Sequence, residues 1–490
     1  MIIKKNKDIP EDYLKDASNY RGNADALYIP ESVDELKNCL KSLYNEEVPI
    51  TLAGAGTGLT GGRVPAGGAL ISTEKLNKFK LSNDGRTIIS QPGVLLNDIE
   101  SFLNEKGLFY PPDPTETNSS IGGNIATNAS GSKTFKYGPT RDYVLAINAV
   151  LPDGDEINLR RGEVFANGFK LNLATKSGRN IYLRLPELVM PEVKHAAGYY
   201  IKEDMDAIDL LIGQEGTLCV IAEAELRLLP KPKALMGGMV FFNNDIDVFE
   251  FVREIKTISI ANHGRPVEDL RDISARAVEF YDSNALDFIR DKYPQLPDAA
   301  KAAIWFQQEY YTGNEDHLMK KYYSIIQKHT GLADSTWLAI DDKGNRDFRQ
   351  LRHDIPLQIN EYLSRKGQTK IGTDNSVPDE YLMAMYNFIK IELQNLGLEY
   401  VIFGHIGNSH LHANVFTSDY SDTEKAWRFY EILLNQAVRW GGSISAEHGL
   451  GKLKKKYLST QYSNVIIEKM KLIKKAFDPK MLLGKGTRFD

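Results

Sequence analysis

Five glycines lie within nine positions in segment 52–65, which reads L-A-G-A-G-T-G-L-T-G-G-R-V-P. The strand-like run V-P-I-T-L at 48–52 leads into it. Because a loop with few Cβ atoms lets several backbone N–H groups converge on one anion, this segment is typical of a cradle for a phosphate or diphosphate. Its spacing, G-x-G-x-G-x-x-G-G, matches neither the P-loop nor the usual Rossmann fingerprint, so a tight turn without a ligand is the alternative.

A second segment, 110–143, points the same way. It reads Y-P-P-D-P-T-E-T-N-S-S-I-G-G-N-I-A-T-N-A-S-G-S-K-T-F-K-Y-G-P-T-R-D-Y, which is dense in small polar residues and glycine and has little periodicity. A long irregular segment of this kind is costly to order unless it wraps a ligand. The two segments together predict a dinucleotide site.

Composition and charge are those of an ordinary globular enzyme. The 490 residues suffice for two or three domains, and 42% of them are hydrophobic and 26% charged. A net charge of −5 gives no basic field to attract nucleic acid, so we expect no such partner. No apolar run approaches the roughly 20 residues that span a bilayer, and the start M-I-I-K-K-N-K-D has no apolar core of signal-peptide length. We therefore expect a cytoplasmic protein, with peripheral attachment to a membrane left open.

The character of the chain changes near the P-K-P-K sequence at 230–233, a stiff connector and candidate domain boundary. Before it, short strand-like runs alternate with loops, and apolar residues at helical spacing predict a helix over 32–44. After it, strands alternate with long amphipathic helices, predicted over 245–260, 315–329, 378–396 and 423–440. This pattern predicts an α+β domain with an antiparallel sheet.

Three histidines lie in segment 401–416, V-I-F-G-H-I-G-N-S-H-L-H-A-N-V-F. The apolar runs on either side of the break predict a β-hairpin that turns at Asn408-Ser409 and sets His405 directly opposite His412. A three-residue loop would break that pairing, and Asn-Ser is a poorer hairpin turn than Asn-Gly.

A second motif, G-G-S-I-S-A-E-H-G-L-G at 441–451, carries Glu447 and His448 in a glycine-flanked turn. Two histidines and one glutamate form the ligand set of an open catalytic zinc site, with positions left for substrate or water. The alternative is that these histidines are solvent-facing or are hydrogen-bonded core residues.

The motifs G-A-G-T-G-L-T-G-G, P-P-D-P-T, I-G-G-N-I-A-T-N-A-S-G, K-Y-G-P-T-R-D-Y-V and L-I-G-Q-E-G-T-L-C-V-I resemble, in sequence and order, the vanillyl-alcohol-oxidase-type (PCMH-type) flavoproteins. The branch they are most similar to is the D-2-hydroxyacid dehydrogenases: D-lactate dehydrogenase, the flavin subunit of glycolate oxidase and D-2-hydroxyglutarate dehydrogenase. The resemblance implies an α+β fold in three parts. A two-subdomain PCMH-type FAD-binding domain would span 15–232, an α+β substrate cap with a ferredoxin-like antiparallel sheet 233–440, and a C-terminal segment with the Glu-His motif and closing helices 441–490.

The same resemblance implies which residues contact FAD. They are Gly54, Ala55, Gly56, Thr57, Gly58, Leu59, Thr60, Gly61, Pro112, Asp113, Thr115, Gly122, Gly123, Ala126, Thr127, Asn128, Ser130, Gly131, Tyr137, Gly138, Thr140, Glu215, Gly216 and Ile221. No histidine precedes His195, and Thr57 stands about where related flavoproteins carry a linking histidine. We therefore expect non-covalent FAD.

The chain contains only two cysteines, Cys39 and Cys219, which excludes a disulfide framework and a four-thiolate iron–sulfur cluster in this polypeptide. Electrons that leave the flavin would pass to an external acceptor, and a quinone, an electron-transfer flavoprotein and a cytochrome stay open. A homodimer also stays open.

Carried over by resemblance, His405, His412 and Glu447 would hold a divalent metal, with zinc expected, and His448 would be the general base. Two departures from the family pattern stand in the motifs. Ala446 replaces the glycine before the glutamate, and G-N-S-H replaces the commoner G-D-G-N between the first two histidines. The additional His410 is interpreted as a surface residue or a residue that contacts a ligand, with an alternative metal ligand left open.

Arg352, in R-Q-L-R-H-D-I-P, stands about where the family places an arginine that binds the substrate carboxylate. A guanidinium suits that task because it binds two oxygens at once. Arg349 leaves the alignment open, and surface ion pairs are the alternative for both. Pro356 and Gly372 stand where hydroxyglutarate enzymes tend to carry polar contacts, which puts that substrate in doubt. Lys194 resembles the lysine of the family's K-x-x-x-G-Y near the flavin.

The resemblance thus implies FAD- and metal-dependent oxidation of a D-2-hydroxy acid, D-lactate first, to the 2-oxo acid. His448 would take the hydroxyl proton while hydride passes to flavin N5. Three alternatives stay open: a glycolate-oxidase-type flavin subunit of a complex, a transferase similar to alkyl-glycerone-phosphate synthase, and a catalytically silent flavin-binding subunit.

Overall fold

The structure, a computed structural model, describes residues 1–489. Twenty strands are found there: β1 Ile2–Lys5, β2 Ala26–Ile29, β3 Ile50–Ala53, β4 Ala69–Ser72, β5 Phe79–Leu81, β6 Thr87–Ser90, β7 Leu108–Phe109, β8 Val144–Val150, β9 Glu156–Arg160, β10 Lys170–Ala174, β11 Asn180–Arg184, β12 Val220–Arg227, β13 Leu229–Pro230, β14 Ala234–Phe242, β15 Ala275–Asp282, β16 Ala302–Tyr310, β17 Trp337–Ala339, β18 Thr369–Gly372, β19 Tyr400–Gly404 and β20 His412–Thr417.

Thirteen α-helices lie in the same described range: α1 Val33–Asn45, α2 Leu96–Asn104, α3 Ile121–Thr127, α4 Thr134–Tyr137, α5 Ile208–Leu211, α6 Asp245–Asn262, α7 Ser283–Asp287, α8 Glu315–His329, α9 Asp342–Lys366, α10 Leu382–Leu396, α11 Tyr420–Arg439, α12 Leu458–Gln461 and α13 Asn464–Phe477. Short 3-10 helices occupy Asn6–Asp8, Glu11–Tyr13, Thr140–Tyr143, Val267–Asp269, Ala333–Ser335, Asp379–Tyr381, Ile406–Asn408 and Lys455–Tyr457. None of the described helices is long and apolar enough to cross a membrane.

The first sheet carries the glycine-rich loop. Its order is β1-β2-β4-β3, with β2, β4 and β3 parallel and β1 antiparallel at the edge. Helix α1 begins at the predicted position because Ser32 caps it by accepting a hydrogen bond from the backbone N–H of Glu35. Its apolar face, with Leu36, Leu40 and Leu43, is buried. The glycine-rich segment follows β3 directly.

The second sheet of the N-terminal half is antiparallel, with the order β5-β6-β12-β8-β9. Helix α3, which carries the I-G-G-N-I-A-T motif, is capped by the Ser120 hydroxyl, which accepts a hydrogen bond from the N–H of Gly123 at 3.3 Å. Helix α3 ends at Asn128, which adopts a left-handed conformation with φ 51°. The two sheets are the two subdomains that the family resemblance implies.

The C-terminal half is built on a seven-stranded antiparallel sheet of order β17-β14-β16-β15-β19-β20-β18. Successive residues of its strands point to opposite faces and enter different cores: Ile304 and Phe306 pack with α6, α8, α10 and α11, whereas Ala303 and Trp305 pack with α7 and α9. The α+β fold class with an antiparallel sheet in the cap is confirmed.

The chain after α11 returns to the N-terminal half. Leu483 forms a parallel bridge with Ile50 of the first sheet, and Met470 and Phe477 of α13 belong to the core that also contains Ile147 and Leu226 of the second sheet. We propose the boundaries 15–232, 233–440 and 441–490 as the division of the chain, because β13 ends at Pro230 and the cap sheet begins at Ala234.

Candidate active site

A cavity lies between the two N-terminal subdomains and is lined by many of the residues predicted to contact FAD: Gly54, Ala55, Gly56, Thr57, Gly58, Thr60, Gly122, Gly123, Ala126, Thr127, Glu215, Gly216 and Ile221. Gly56 has a φ of +86°, a conformation that favours glycine. A Cβ on Gly54 would lie 2.6 Å from the Ser120 hydroxyl, so a side chain there would collide with the cap of α3. Two glycine-rich segments from different subdomains thus form one cradle, which fits a dinucleotide.

Other predicted FAD contacts lie elsewhere. Asn128, Ser130 and Gly138 line a cleft between the two halves of the molecule, and Asp113 and Thr115 line a cavity shared with Arg352. The remaining residues line none of these three cavities: Leu59, Gly61, Pro112, Gly131, Tyr137 and Thr140. Thr140 is buried and donates a hydrogen bond from its hydroxyl to the Ala129 carbonyl, and the Tyr137 hydroxyl donates to buried Glu309 of the cap.

The predicted metal ligands meet at one atom, Oε1 of Glu447. The Nε2 atom of His405 lies 3.5 Å from it and the Nε2 atom of His412 lies 3.3 Å from it. The Nε2 atom of His448 follows at 3.7 Å. The structure therefore gathers three imidazoles around one carboxylate, although the residues come from two segments of the sequence.

The predicted hairpin forms, but its predicted register is wrong. Strands β19 and β20 are antiparallel, yet His412 pairs with Phe403, and Ile402 pairs with Ala413. The 3-10 turn Ile406–Asn408 lengthens the loop, so His405 lies beyond the paired strands. The two imidazoles still meet, with ring centroids 5.9 Å apart, because His405 reaches back from the loop.

The second nitrogen of each predicted ligand histidine has a partner that orients the ring. His405 Nδ1 lies 2.7 Å from the carboxylate of Glu279, and His412 Nδ1 lies 2.9 Å from the Thr373 carbonyl. Burial acts to lower the pKa of His405, but the Glu279 carboxylate holds it above its ordinary value. Both Nε2 atoms are left free to face Glu447, which is the usual arrangement of histidines that bind a metal.

The carboxylate of Glu447 is 11% exposed and has two further partners on its other oxygen. Lys194 forms an ion pair with Oε2, and the Ser130 hydroxyl donates to it at 3.1 Å. Burial acts to raise the pKa of Glu447, yet Lys194 and His405 hold it well below the ordinary value. Lys194, which the K-x-x-x-G-Y motif singled out, therefore forms an ion pair with a predicted metal ligand.

Asp374 is one of two residues of the site that sequence reasoning missed. It belongs to D-N-S-V-P after β18, and one of its carboxylate oxygens lies within 4.8 Å of ligand atoms of His412, Glu447 and His448. This group of four residues is an alternative ligand set, and it shares His412 and Glu447 with the three predicted ligands. His405 belongs to the predicted set alone, and Asp374 and His448 belong to this group alone.

His410 is completely buried, so its interpretation as a surface residue is wrong. Its ring centroid lies 4.3 Å from that of His412, and its Nε2 atom lies 3.4 Å from Asp374 Oδ1. His410 therefore contacts a predicted ligand and the missed aspartate, which agrees with the other interpretation made for it.

Arg352 joins this site through Glu279, whose carboxylate lies 3.5 Å from its Nε atom. Its Nη1 atom donates to the Ser132 hydroxyl at 3.2 Å, and its Nη2 atom lies 3.5 Å from the Thr115 hydroxyl. Arg349 is exposed and lines the same cavity. Glu279 was also missed in the sequence, because it lies on β15, 126 positions from the histidine that it orients.

Comparisons with known proteins match both halves of the chain. A FAD binding domain matches residues 24–160, and the C-terminal domain of FAD linked oxidases matches residues 267–487. The glycolate oxidase subunit GlcD of Bacillus subtilis (strain 168) is 30% identical over 97% of this chain and 92% of its own length. A D-lactate dehydrogenase of Anaerostipes hadrus is 28% identical, over 98% of this chain and 93% of its own length. A D-2-hydroxyglutarate dehydrogenase of Xanthomonas citri pv. viticola is 30% identical, over 95% of this chain and 89% of its own length.

Among solved structures, an alkyldihydroxyacetonephosphate synthase has a TM-score of 0.65 at 17% identity, covering 98% of this chain and 81% of that chain. This likeness shows the shared fold alone. The two domain matches and the full-length relative at 30% identity go further: the chain belongs to the FAD-linked oxidoreductases of the D-2-hydroxyacid dehydrogenase family.

Proposed function

We propose that this chain oxidises a D-2-hydroxy acid, with D-lactate as the first candidate, to the 2-oxo acid. FAD would be bound without a covalent link, together with a divalent metal, for which zinc is the first candidate. The observation that carries the proposal is the convergence of His405, His412 and His448 on Glu447 Oε1. His448 also lines the cavity between the two FAD-binding subdomains, so the histidine cluster and the cofactor cradle are adjacent.

The donor set fits a divalent cation. His405, His412 and Glu447 would hold it, because two imidazole nitrogens and one carboxylate oxygen lie close together with the second ring nitrogens already bound. When bound, the metal would supply a Lewis acid that makes a substrate hydroxyl more acidic, and FAD would supply the acceptor for two electrons.

The residues of this chain have separable tasks in the proposed reaction. Arg352 would bind the substrate carboxylate, since its three contacts of 3.2–3.5 Å leave guanidinium donors available. Glu279 would orient both Arg352 and His405. His448 would accept the hydroxyl proton: burial lowers its pKa to about 4, so its imidazole is neutral near pH 7 and can act as a base.

Anaerobic addition of D-lactate to the FAD-loaded protein tests the proposal. The visible absorption of the flavin should bleach, and pyruvate should form in proportion. A panel of D- and L-2-hydroxy acids with an artificial electron acceptor would then rank the substrates. The proposal would be contradicted if the flavin stayed oxidised with every D-2-hydroxy acid of the panel, in protein that holds FAD and metal.

A second candidate is a glycolate-oxidase-type flavin subunit of a larger complex, favoured by the relative of that name. In that case glycolate would reduce the flavin faster than D-lactate, and turnover with acceptors would require partner subunits. A transferase without net oxidation is supported only by the likeness in fold. In that case the flavin would show no net bleaching. The physiological acceptor in the main proposal is external, with a quinone, an electron-transfer flavoprotein and a cytochrome as candidates.

A further inference from the structure

We infer that Asp374 is a positioning residue for His448. Its buried carboxylate would hold the turn that carries His448 and fix the imidazole with Nδ1 protonated and Nε2 free. The inference rests on the proposed function, in which His448 accepts the proton of the substrate hydroxyl.

The first observation is that four consecutive residues of the Glu-His turn each donate one hydrogen bond to Asp374. The hydroxyl of Ser445 and the N–H of His448 donate to Oδ2 at 2.7 Å and 3.1 Å. The N–H of Glu447 donates to Oδ1 at 3.2 Å, and the N–H of Ala446 donates to the Asp374 carbonyl at 2.6 Å. Asp374 is completely buried, so no water competes for these bonds and the turn is held in one place.

The second observation is the orientation of the His448 ring. Its Nδ1 atom lies 3.6 Å from Asp374 Oδ2, whereas its Nε2 atom lies 3.7 Å from Glu447 Oε1. The ring stacks on that of His412, with centroids 5.4 Å and planes 15° apart, which limits rotation. One ring nitrogen therefore faces the buried aspartate, and the other faces the carboxylate on which the predicted ligands converge.

The chemical consequence concerns the tautomer. A neutral imidazole carries one N–H and one lone pair, and an adjacent acceptor favours the N–H on its own side. Asp374 Oδ2 and Glu447 Oε1 are both carboxylate acceptors, at 3.6 Å and 3.7 Å. In the proposed function Glu447 Oε1 would hold the metal, which leaves Asp374 as the acceptor for the N–H. The 3.6 Å contact is longer than a hydrogen bond, and catalytic hydrogen bonds are often long before substrate binds. An N–H on the Asp374 side leaves the lone pair on Nε2, which is the atom that can accept a proton inside the site. The opposite tautomer would direct the basic nitrogen at Asp374, away from the site.

Asp374 has two other neighbours that bear on a substitution. His410 Nε2 lies 3.4 Å from Oδ1, and Lys454 Nζ lies 3.8 Å from Oδ2. Removal of the carboxylate would therefore leave a buried lysine less well compensated. For this reason the test must separate a loss of stability from a loss of His448 function.

A double-mutant cycle makes that separation. Asp374→Asn, His448→Asn and the double variant are compared by stopped-flow flavin reduction with the best D-hydroxy acid, after FAD and metal contents are shown to match wild type. Asp374→Asn should slow reduction about 10- to 100-fold with little change in the substrate concentration for half-saturation. In the His448→Asn background, adding Asp374→Asn should change the rate by less than about twofold, because the residue through which Asp374 acts is gone. Fully additive losses would overturn the inference.

Asp282→Asn is the matched control. Asp282 is another buried carboxylate that accepts two backbone N–H groups, those of Ala285 and Ile402, but no contact links it to His448. This variant should unfold more easily than wild type and reduce its flavin at the wild-type rate. If it slowed flavin reduction as much as Asp374→Asn does, the effect of Asp374 would be one of general stability and the inference would fall.

If Asp374→Asn does not fold, the wild-type protein still decides the matter. In ¹⁵N-histidine-labelled holoenzyme, the His448 signals are identified by their absence in His448→Asn. The inference requires a protonated Nδ1 and an unprotonated Nε2, and the reverse pattern would overturn it. A flavin that no D-hydroxy acid reduces would instead contradict the proposed function, while the tautomer would still report on Asp374.

Discussion

Arg488 and Glu215 form a buried ion pair, although they lie 273 positions apart in the chain. The guanidinium Nη2 lies 2.7 Å from Glu215 Oε2, and the two side chains are 0% and 4% exposed. The other carboxylate oxygen of Glu215 accepts hydrogen bonds from the N–H groups of Leu450 and Gly451, both at 2.9 Å. Glu215 therefore links Arg488 and the segment after the Glu-His turn to the FAD-binding half.

The first prediction follows from this pair. Glu215→Ala leaves a buried guanidinium without its carboxylate, which should lower the free energy of unfolding by about 3–5 kcal/mol. FAD affinity should fall too, because Lys452, next to Gly451, donates its backbone N–H to the Thr60 carbonyl of the glycine-rich loop. Urea unfolding and FAD titration measure both effects. Glu250→Ala is the control, since its pair with Arg253 has exposed side chains and should contribute less than about 1 kcal/mol. Equal effects in the two variants would refute the proposed role of Glu215.

The second prediction concerns the metal. His405→Ala and His412→Ala should each lose the divalent ion and flavin reduction while they keep FAD, because the cradle of FAD and the histidine cluster come from different segments. Elemental analysis of the purified protein gives the metal content, and absorption spectra give the FAD content. The exposed His317, replaced by alanine, should leave both unchanged. Full metal content in His405→Ala would favour the other group, in which Asp374 and His448 accompany His412 and Glu447.

The third prediction assigns His448 to proton transfer. His448→Asn should retain FAD and metal and slow flavin reduction by roughly 10² to 10⁴, the usual contribution of a positioned base. Stopped-flow spectroscopy isolates that step from reoxidation. A variant that loses its metal would make His448 a ligand. A rate within about twofold of wild type would remove it from proton transfer and direct attention to His410.

The fourth prediction is that the flavin leaves the denatured chain. Thr57 lines the FAD cavity, and no histidine stands before residue 195, so the glycine-rich loop has no imidazole to form a covalent link. Acid precipitation should release FAD into the supernatant, and the protein band in a denaturing gel should not fluoresce. Fluorescence retained in that band would contradict the prediction.

The fifth prediction concerns pH and stability. His195 is half-buried and lies between the Ser443 and Tyr462 hydroxyls, at 2.6 Å and 2.9 Å, and the loss of hydration lowers its pKa to about 4. The folded state therefore disfavours the protonated ring, so stability is fully present above the unfolded pKa, about 6.5, and is lost as the pH falls toward 4. From pH 7 to pH 5, this group should remove about 2 kcal/mol. Urea unfolding of His195→Gln should show a correspondingly smaller loss, whereas His317→Gln should keep the wild-type pH dependence.

Local sequence signals predicted helix α1 and the β19–β20 hairpin, but not the register of the hairpin. Helix α1 was predicted over 32–44 and spans Val33–Asn45, because its apolar spacing and its Ser32 cap are local signals. The β19–β20 hairpin was also predicted, but its register was not, since a 3-10 turn at Ile406–Asn408 lengthened the loop. Turn geometry sets register, and Gly-Asn-Ser permits more than one turn.

The sequence by itself determined the segments that bear the chemistry: the glycine-rich loop, the histidines of 405–412 and the Glu-His motif. Short-range signals such as glycine content, turn residues and periodicity are written into consecutive residues, so they can be read without a fold. Only the tertiary structure decided which residues complete the site. Glu279, Lys194 and Asp374 reach His405, Glu447 and His448 from separate segments, and long-range contacts of this kind depend on how sheets and loops pack. No local pattern encodes these contacts, although the K-x-x-x-G-Y motif did single out Lys194 itself.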